Sequence, residues 1–140
     1  MISFGGSKAI RKLYLQQPLQ MAKPILPNNP PFFQNPDAEK LVVFIHGIKG
    51  DPVTTWAHKK ENFFWPQELA KEPKFKNSDV LSFGYECECG PSLNIREIAG
   101  HLNVSLIAAL EKSYESISFV AHSMGGLVVR EFILSHWEDL

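Results

Sequence analysis

The chain has 140 residues, of which 44% are apolar, and it carries 14 basic and 15 acidic side chains. That apolar content can build a hydrophobic core, which excludes a wholly disordered chain. The near-zero net charge lacks the basic surface of a nucleic-acid-binding protein, and no apolar run approaches the ~20 residues of a membrane span. We therefore expect no nucleic acid partner and no crossing of the bilayer.

The N-terminal region, residues 1–39, is predicted to be an arm outside the compact domain. Six of the ten prolines fall within residues 18–36, where each removes a backbone donor and disfavours helix at the preceding residue. We expect this stretch to run extended over the surface. No acidic residue precedes Asp37, which would also suit organelle targeting. An exposed basic arm on a cytoplasmic protein is the favoured interpretation.

The chain contains two cysteines, Cys87 and Cys89. Two thiols supply half of a zinc site, and no histidine or further cysteine stands at ligand spacing. We expect reduced thiols here, and neither a metal nor a cofactor in the protein.

Beyond Asp37, apolar segments alternate with helical patterns. Continuous apolar runs rich in β-branched residues predict three strands of a buried parallel sheet, at residues 41–45, 80–85 and 117–121. Predicted helices follow each strand, at residues 65–72, 94–110 and 124–136. The second has Asn94 and Glu97 at the spacing of a capping box. Right-handed crossovers between such elements predict an α/β fold, a three-layer sandwich with a parallel sheet, over residues 40–140.

The third strand ends in Ala121-His122-Ser123-Met124-Gly125. A serine on a strand-to-helix turn projects its hydroxyl above the sheet, and the residues two before and two after it must be small because the turn is tight. Ala121 and Gly125 meet that demand, and Gly126 is expected to let the helix approach the neighbouring strands. A structural serine is the alternative, but the flanking strand and helix favour a nucleophile.

The first strand ends in His46-Gly47-Ile48-Lys49-Gly50. Acyl transfer places negative charge on the carbonyl oxygen, so a hydrolase needs two donors aimed at that point. One is predicted to be the amide of Met124, at a helix start whose dipole favours an anion. The other is predicted to be the amide of Ile48, in a loop formed with His46 and Gly47. Without the serine, this loop would be interpreted as an ordinary strand-terminating turn.

Taken together, these segments resemble the lipase-like serine esterase branch of the α/β-hydrolase superfamily. The resemblance covers residues 40–136 and is carried by FIHGIKGDPVTTW, WPQEL, VLSFGY, GPSLNIREIA and SFVAHSMGGLVVREFIL. It implies a serine ester hydrolase with Ser123 as nucleophile, Ile48 and Met124 as oxyanion-hole amides, and an ester or lipid as substrate. It also implies that these strands are the third to fifth of the family sheet, and hence a partial α/β-hydrolase fold.

The acid and the base of this hydrolase are not identified. A serine needs an imidazole base held by a carboxylate, and in this superfamily both follow the serine. The downstream candidates are Glu131, His136, Glu138 and Asp139. His136 would lie about 18–20 Å from Ser123 along one helix. His46 and His122 are alternative bases, although we expect each to brace or pack its loop. We therefore expect a fragment of a longer hydrolase, inactive in this form.

Two further features have alternative interpretations. The aromatic residues Phe63, Phe64 and Trp65, with Trp56 nearby, are either an acyl-chain pocket or, as favoured here, core packing at a helix start. The third strand would form an exposed edge of the sheet, and we expect that copies of the chain can self-associate through this edge. The rival function is accordingly a non-catalytic α/β-hydrolase-like module that binds a partner through this edge.

Overall fold

A computed structural model describes residues 32–85, 94–109 and 113–139 of the chain. The expectations for the arm before residue 32 and for Cys87 and Cys89 therefore lie outside the described residues. No helix among the described residues is long and apolar enough to cross a membrane.

The three predicted strands and the three predicted helices occur in the predicted alternating order, and the described residues form three short strands in addition. The strands are β1 (Phe32–Phe33), β2 (Lys40–Ile45), β3 (Ala57–His58), β4 (Phe63–Phe64), β5 (Ser78–Phe83) and β6 (Ser116–Ala121). The α-helices are α1 (Trp65–Lys71), α2 (Ile95–Ala109) and α3 (Gly125–His136). The three predicted strands correspond to β2, β5 and β6, and the three predicted helices to α1, α2 and α3. The predicted α/β fold class is confirmed.

Within the described residues, the main sheet has the strand order β1-β5-β2-β6. Strand β2 pairs in parallel with β5 and β6, so that Val43 lies opposite both Leu81 and Phe119. Strand β1 pairs antiparallel with β5 and closes one edge, whereas β6 forms the other edge. Phe32 and Phe33 fall in the stretch predicted to run over the surface, but both side chains are buried because β1 packs on β5.

The central strand β2 sends alternate side chains into two hydrophobic clusters, one on each face of the sheet. Leu41, Val43 and Ile45 pack with residues of α2 and α3. Val42 and Phe44 pack on the opposite face, in a cluster that includes residues of α1 and the preceding loop. Helices thus cover both faces, which confirms the predicted three-layer arrangement with a mostly parallel sheet.

Helix α2 begins where its sequence pattern indicates. The Asn94 side chain accepts a hydrogen bond from the amide of Arg96 at 3.1 Å, as an N-cap does. The apolar positions of the predicted stripe that are fully buried are Ile98, Ala99, Leu102 and Leu106. Arg96 also pairs with Glu131 of α3 at 3.1 Å, so the two helices on this face are linked at their surface.

Candidate active site

Ser123 occupies the sharp turn between β6 and α3. Its φ angle is 53°, in the left-handed region that costs a residue other than glycine about 1 kcal/mol. Its side chain is exposed and makes no hydrogen bond with another described residue. The turn is thus strained and presents its hydroxyl at the end of a strand, two features that a nucleophile elbow requires.

Gly125, the first residue of α3, lies directly against the end of β2. A Cβ atom placed on it would be 2.4 Å from the carbonyl oxygen of Ile45 and 2.7 Å from that of His46. The small residue is therefore required by contact with the neighbouring strand. The role predicted for Gly126 is wrong: a Cβ on that residue would meet nothing within 4 Å, because it faces solvent at the helix start.

The loop after β2 touches the serine. A Cβ atom on Gly47 would lie 2.8 Å from the Ser123 Cβ and 3.0 Å from the His122 carbonyl oxygen. The amide of His122 donates to the carbonyl oxygen of Ile45 at 2.9 Å, which extends the β2–β6 pairing into the turn. The carboxyl ends of these two parallel neighbours meet at one edge of the sheet, so both predicted site segments are brought together there.

The two amides predicted to bind an oxyanion are available. The amide of Gly50 donates to the Gly47 carbonyl at 3.1 Å, which closes a tight turn with Lys49 at a φ of 57°. Neither the Ile48 amide in this turn nor the Met124 amide donates to another of the residues described. Two unpartnered amides therefore border the serine, one of them in the first turn of a helix, where backbone amides lack intrahelical acceptors.

His46 is fully buried beneath this loop, and both of its ring nitrogens are occupied. Its Nδ1 lies 2.9 Å from the carbonyl oxygen of Gly47, which can only accept, so Nδ1 carries the proton. Its Nε2 then accepts a long hydrogen bond of 3.4 Å from the Tyr85 amide. Neither nitrogen is left to take a proton from Ser123, so the ring braces the loop and is not a base.

Tyr85 is the site residue that the sequence did not reveal. Its ring stacks on His46 with centroids 4.1 Å apart, and its hydroxyl donates to the His46 carbonyl oxygen at 2.7 Å. This contact fixes the peptide that joins β2 to the Gly47 loop. The signal available in the sequence was only an aromatic residue at the end of a predicted strand, which does not indicate this partner.

Burial lowers the pKa of His46 below its ordinary value of 6.5, although the hydrogen bond to Gly47 and the charge of Asp51 oppose that shift. The unfolded chain therefore binds a proton at His46 more readily than the folded chain does. We expect the free energy of unfolding to fall as the pH drops below 6.5, because unfolding then takes up this proton. Urea unfolding at pH 7.5, 6.5 and 5.5 measures the slope.

The matched variants for this pH dependence are His46→Gln and His101→Gln. His46→Gln should remove part of the slope, whereas His101→Gln, at an exposed position of α2, should keep all of it. An identical slope in wild-type protein and His46→Gln would contradict the assignment of the buried neutral ring.

The other histidines are His58, His101, His122 and His136. His122 is exposed beside Ser123, and its ring stands edge-on to Trp56 with centroids 6.4 Å apart. His136 lies at the far end of α3. All five histidines of the sequence are described, and none hydrogen-bonds the Ser123 hydroxyl.

Asp51 organises the part of the loop that leads to Trp56. Its carboxylate accepts hydrogen bonds from the Val53 amide at 2.8 Å, from the Thr54 amide at 2.7 Å and from the Thr54 hydroxyl. Burial raises the pKa of Asp51, but these hydrogen bonds and the nearby His46 ring outweigh burial, and the net pKa lies below the ordinary 3.8. Asp51 thus remains a carboxylate that fixes the loop.

Core packing, the interpretation favoured from the sequence, accounts for only part of the aromatic residues. Trp56 is buried and stands edge-on to Phe44 with centroids 5.1 Å apart, as core packing requires. Phe63 and Trp65 are 41% and 43% exposed, so core packing does not account for all of their surface. Among the described residues, no three His, Cys, Asp or Glu side chains come together as metal ligands.

Comparison with known proteins adds one finding to this geometry. A family model described as "Putative serine esterase (DUF676)" matches residues 35–138, which include both loops of the site and every helix described above. Searches of the curated proteins and of the solved structures found no match.

Proposed function

Because the chain belongs to this putative serine esterase family, we propose that it supplies the nucleophile and the oxyanion-binding loop of a serine ester hydrolase. The observation that carries the proposal is the left-handed turn that presents the exposed hydroxyl of Ser123 against Gly47. The amides of Ile48 and Met124, which have no partner among the described residues, support it.

The proposed reaction is acyl transfer through the serine. The Ser123 Oγ attacks the carbonyl carbon of the ester while a base takes its proton, and the carbonyl oxygen becomes an oxyanion. The tetrahedral intermediate then collapses, and the alcohol leaves with the proton from the base. Water, activated by the same base, hydrolyses the acyl-serine and releases the carboxylic acid.

The amides of Ile48 and Met124 are proposed to donate to this oxyanion. Both are backbone groups held by a turn and a helix start, so no reorganisation is needed when the charge develops. Each such donor lowers the barrier by about 3 kcal/mol, or about 10²–10³ in rate, in hydrolases where it has been removed. The amino-terminal dipole of α3 favours the same negative charge.

The base and the acid are assigned to no residue of this chain. Both nitrogens of His46 are occupied, and none of His58, His101 and His136 hydrogen-bonds the Ser123 hydroxyl. His122 adjoins Ser123 in sequence, but its ring is placed against Trp56. The roles proposed for this chain are therefore those of the nucleophile and of the two oxyanion donors.

The proposal is tested by labelling the protein with an alkyl fluorophosphonate, with and without added imidazole as an external base. We expect labelling of a single serine, accelerated by imidazole and abolished in Ser123→Ala. Ser118→Ala is the matched control, because Ser118 is exposed on the same strand, and it should label as wild type does. The site of the adduct is read by peptide mass spectrometry.

Folded protein that stays unlabelled at Ser123 in the presence of imidazole would contradict a nucleophilic role. That result would favour the rival function, a non-catalytic module that binds a partner through the outer edge of β6. Every residue of β6 is exposed or only partly buried, and the described residues provide no strand beyond it.

A further inference from the structure

We propose that Trp65, which packs against the buried ring of Trp56 and forms with it what is here called the aromatic shelf, binds a hydrocarbon substituent of the ester substrate through its exposed surface. This inference rests on the proposed function, because it assigns a substrate class to the same site. The shelf would select esters with an apolar chain of medium length, such as an octanoyl or octyl group, over acetate esters of short alcohols.

Two contacts between aromatic rings connect the residue before the nucleophile to Trp65. The Trp56 ring stands edge-on to the ring of His122, the residue before Ser123, with centroids 6.4 Å apart. The Trp65 ring lies 6.0 Å from that of Trp56. In the proposed complex, a hydrocarbon chain on an ester at Ser123 extends along this series of rings to the exposed surface of Trp65.

The rings of Trp56 and Trp65 both pack against the same core residue. Phe44, fully buried on β2, contacts Trp56 at 5.1 Å and Trp65 at 5.2 Å between ring centroids, in each case edge-on. The Asp51 carboxylate accepts hydrogen bonds from the amides of Val53 and Thr54, at the start of the short turn that carries Trp56. A rigid aromatic surface loses little conformational freedom when a chain binds to it, which favours binding.

The exposure of the shelf indicates that part of it is available to a ligand. Trp65 is 43% exposed although it packs on Phe44. Trp56 is buried, so the surface of the shelf that is open to a ligand belongs to Trp65. Ligand pockets are lined mostly by apolar and aromatic side chains, as this surface is.

Calorimetric titration of Ser123→Ala protein, which cannot turn over an ester, tests the shelf. The probes are methyl octanoate, octyl acetate and methyl acetate. We expect at least one eight-carbon ester to bind at least about tenfold more tightly than methyl acetate, since apolar pockets discriminate by about tenfold or more. Adding Trp65→Ala should raise the Kd of that ester about tenfold and leave methyl acetate unchanged.

Trp137→Ala is the matched control, because Trp137 is 50% exposed but follows α3 at the end remote from Ser123. It should leave all three Kd values unchanged. Trp65→Leu, which retains apolar packing on Phe44, provides a milder variant should Trp65→Ala unfold. Tighter binding of methyl octanoate assigns the shelf to the acyl side, and tighter binding of octyl acetate assigns it to the alcohol side.

Binding without chain-length preference, or binding that Trp65 variants weaken no more than Trp137→Ala does, would overturn the shelf. The two proposals can fail separately, since this titration does not need the serine hydroxyl. Trp65-dependent binding without labelling of Ser123 would reject the hydrolase and keep the shelf. Labelling of Ser123, together with ester binding that does not depend on Trp65, would keep the hydrolase and reject the shelf.

Discussion

Gly125→Ala is expected to lower the free energy of unfolding by at least about 2 kcal/mol, as overpacking against rigid neighbours does. The added methyl group would lie 2.4 Å from the Ile45 carbonyl oxygen, which belongs to the central strand and cannot move without disturbing the sheet. The φ angle of Gly125 is not positive, so the cost is steric and not conformational. The start of α3 would have to move away from β2, and Ser123 with it.

Gly126→Ala is the matched control for this prediction. Its Cβ meets nothing within 4 Å, and alanine is the better helix former, so stability should rise by about 0.5–1 kcal/mol. Urea unfolding of the two variants measures both effects. Equal stabilities would contradict the close contact between α3 and β2 on which the geometry of the turn depends.

Gly47→Ala is expected to slow the labelling of Ser123 by about 10²–10³-fold, the cost of losing one oxyanion donor. Its Cβ would stand 2.8 Å from the Ser123 Cβ and 3.0 Å from the His122 carbonyl oxygen. Either the loop moves, which displaces the Ile48 amide, or the serine turn moves. The rate constant for labelling at saturating fluorophosphonate and fixed imidazole measures the loss.

Gly50→Ala separates this effect from general disturbance of the loop. Its Cβ would lie 2.6 Å from the Thr55 hydroxyl, 3.1 Å from the Gly47 carbonyl oxygen and 3.1 Å from the His46 Cβ, so its three nearest contacts are with the loop and not with the serine. We expect a smaller loss of labelling rate there than in Gly47→Ala. An equal loss of labelling rate in Gly50→Ala and Gly47→Ala would mean that any disturbance of the loop slows labelling, which would contradict a specific effect of the contact between Gly47 and Ser123.

The strands and the meeting of the two site loops could be predicted, because the apolar pattern of each strand matches its place in the sheet. The run Leu41–Ile45 is apolar throughout because β2 is central and both of its faces are covered. Parallel strands end at the same edge of a sheet, so the loop after β2 and the turn after β6 had to meet once the strands were recognised. The contact between Gly47 and Ser123 follows from that topology.

The features that could not be predicted depend on contacts between distant residues. Phe32 and Phe33 lie among prolines, which favour an exposed arm, and their burial results from pairing with Val80 and Leu81. Which of two adjacent glycines faces the sheet depends on the rotation of α3 about its axis, and the sequence pattern does not reveal that Gly125, and not Gly126, makes the close approach to β2.

The central claim, that Ser123 is a nucleophile between two oxyanion donors, is tested most directly by a crystal structure of the fluorophosphonate adduct. We predict a bond from the Ser123 Oγ to phosphorus, with the phosphonyl oxygen about 2.7–3.1 Å from the amide nitrogens of both Ile48 and Met124. A phosphonyl oxygen directed into solvent, or an adduct on another residue, would contradict it.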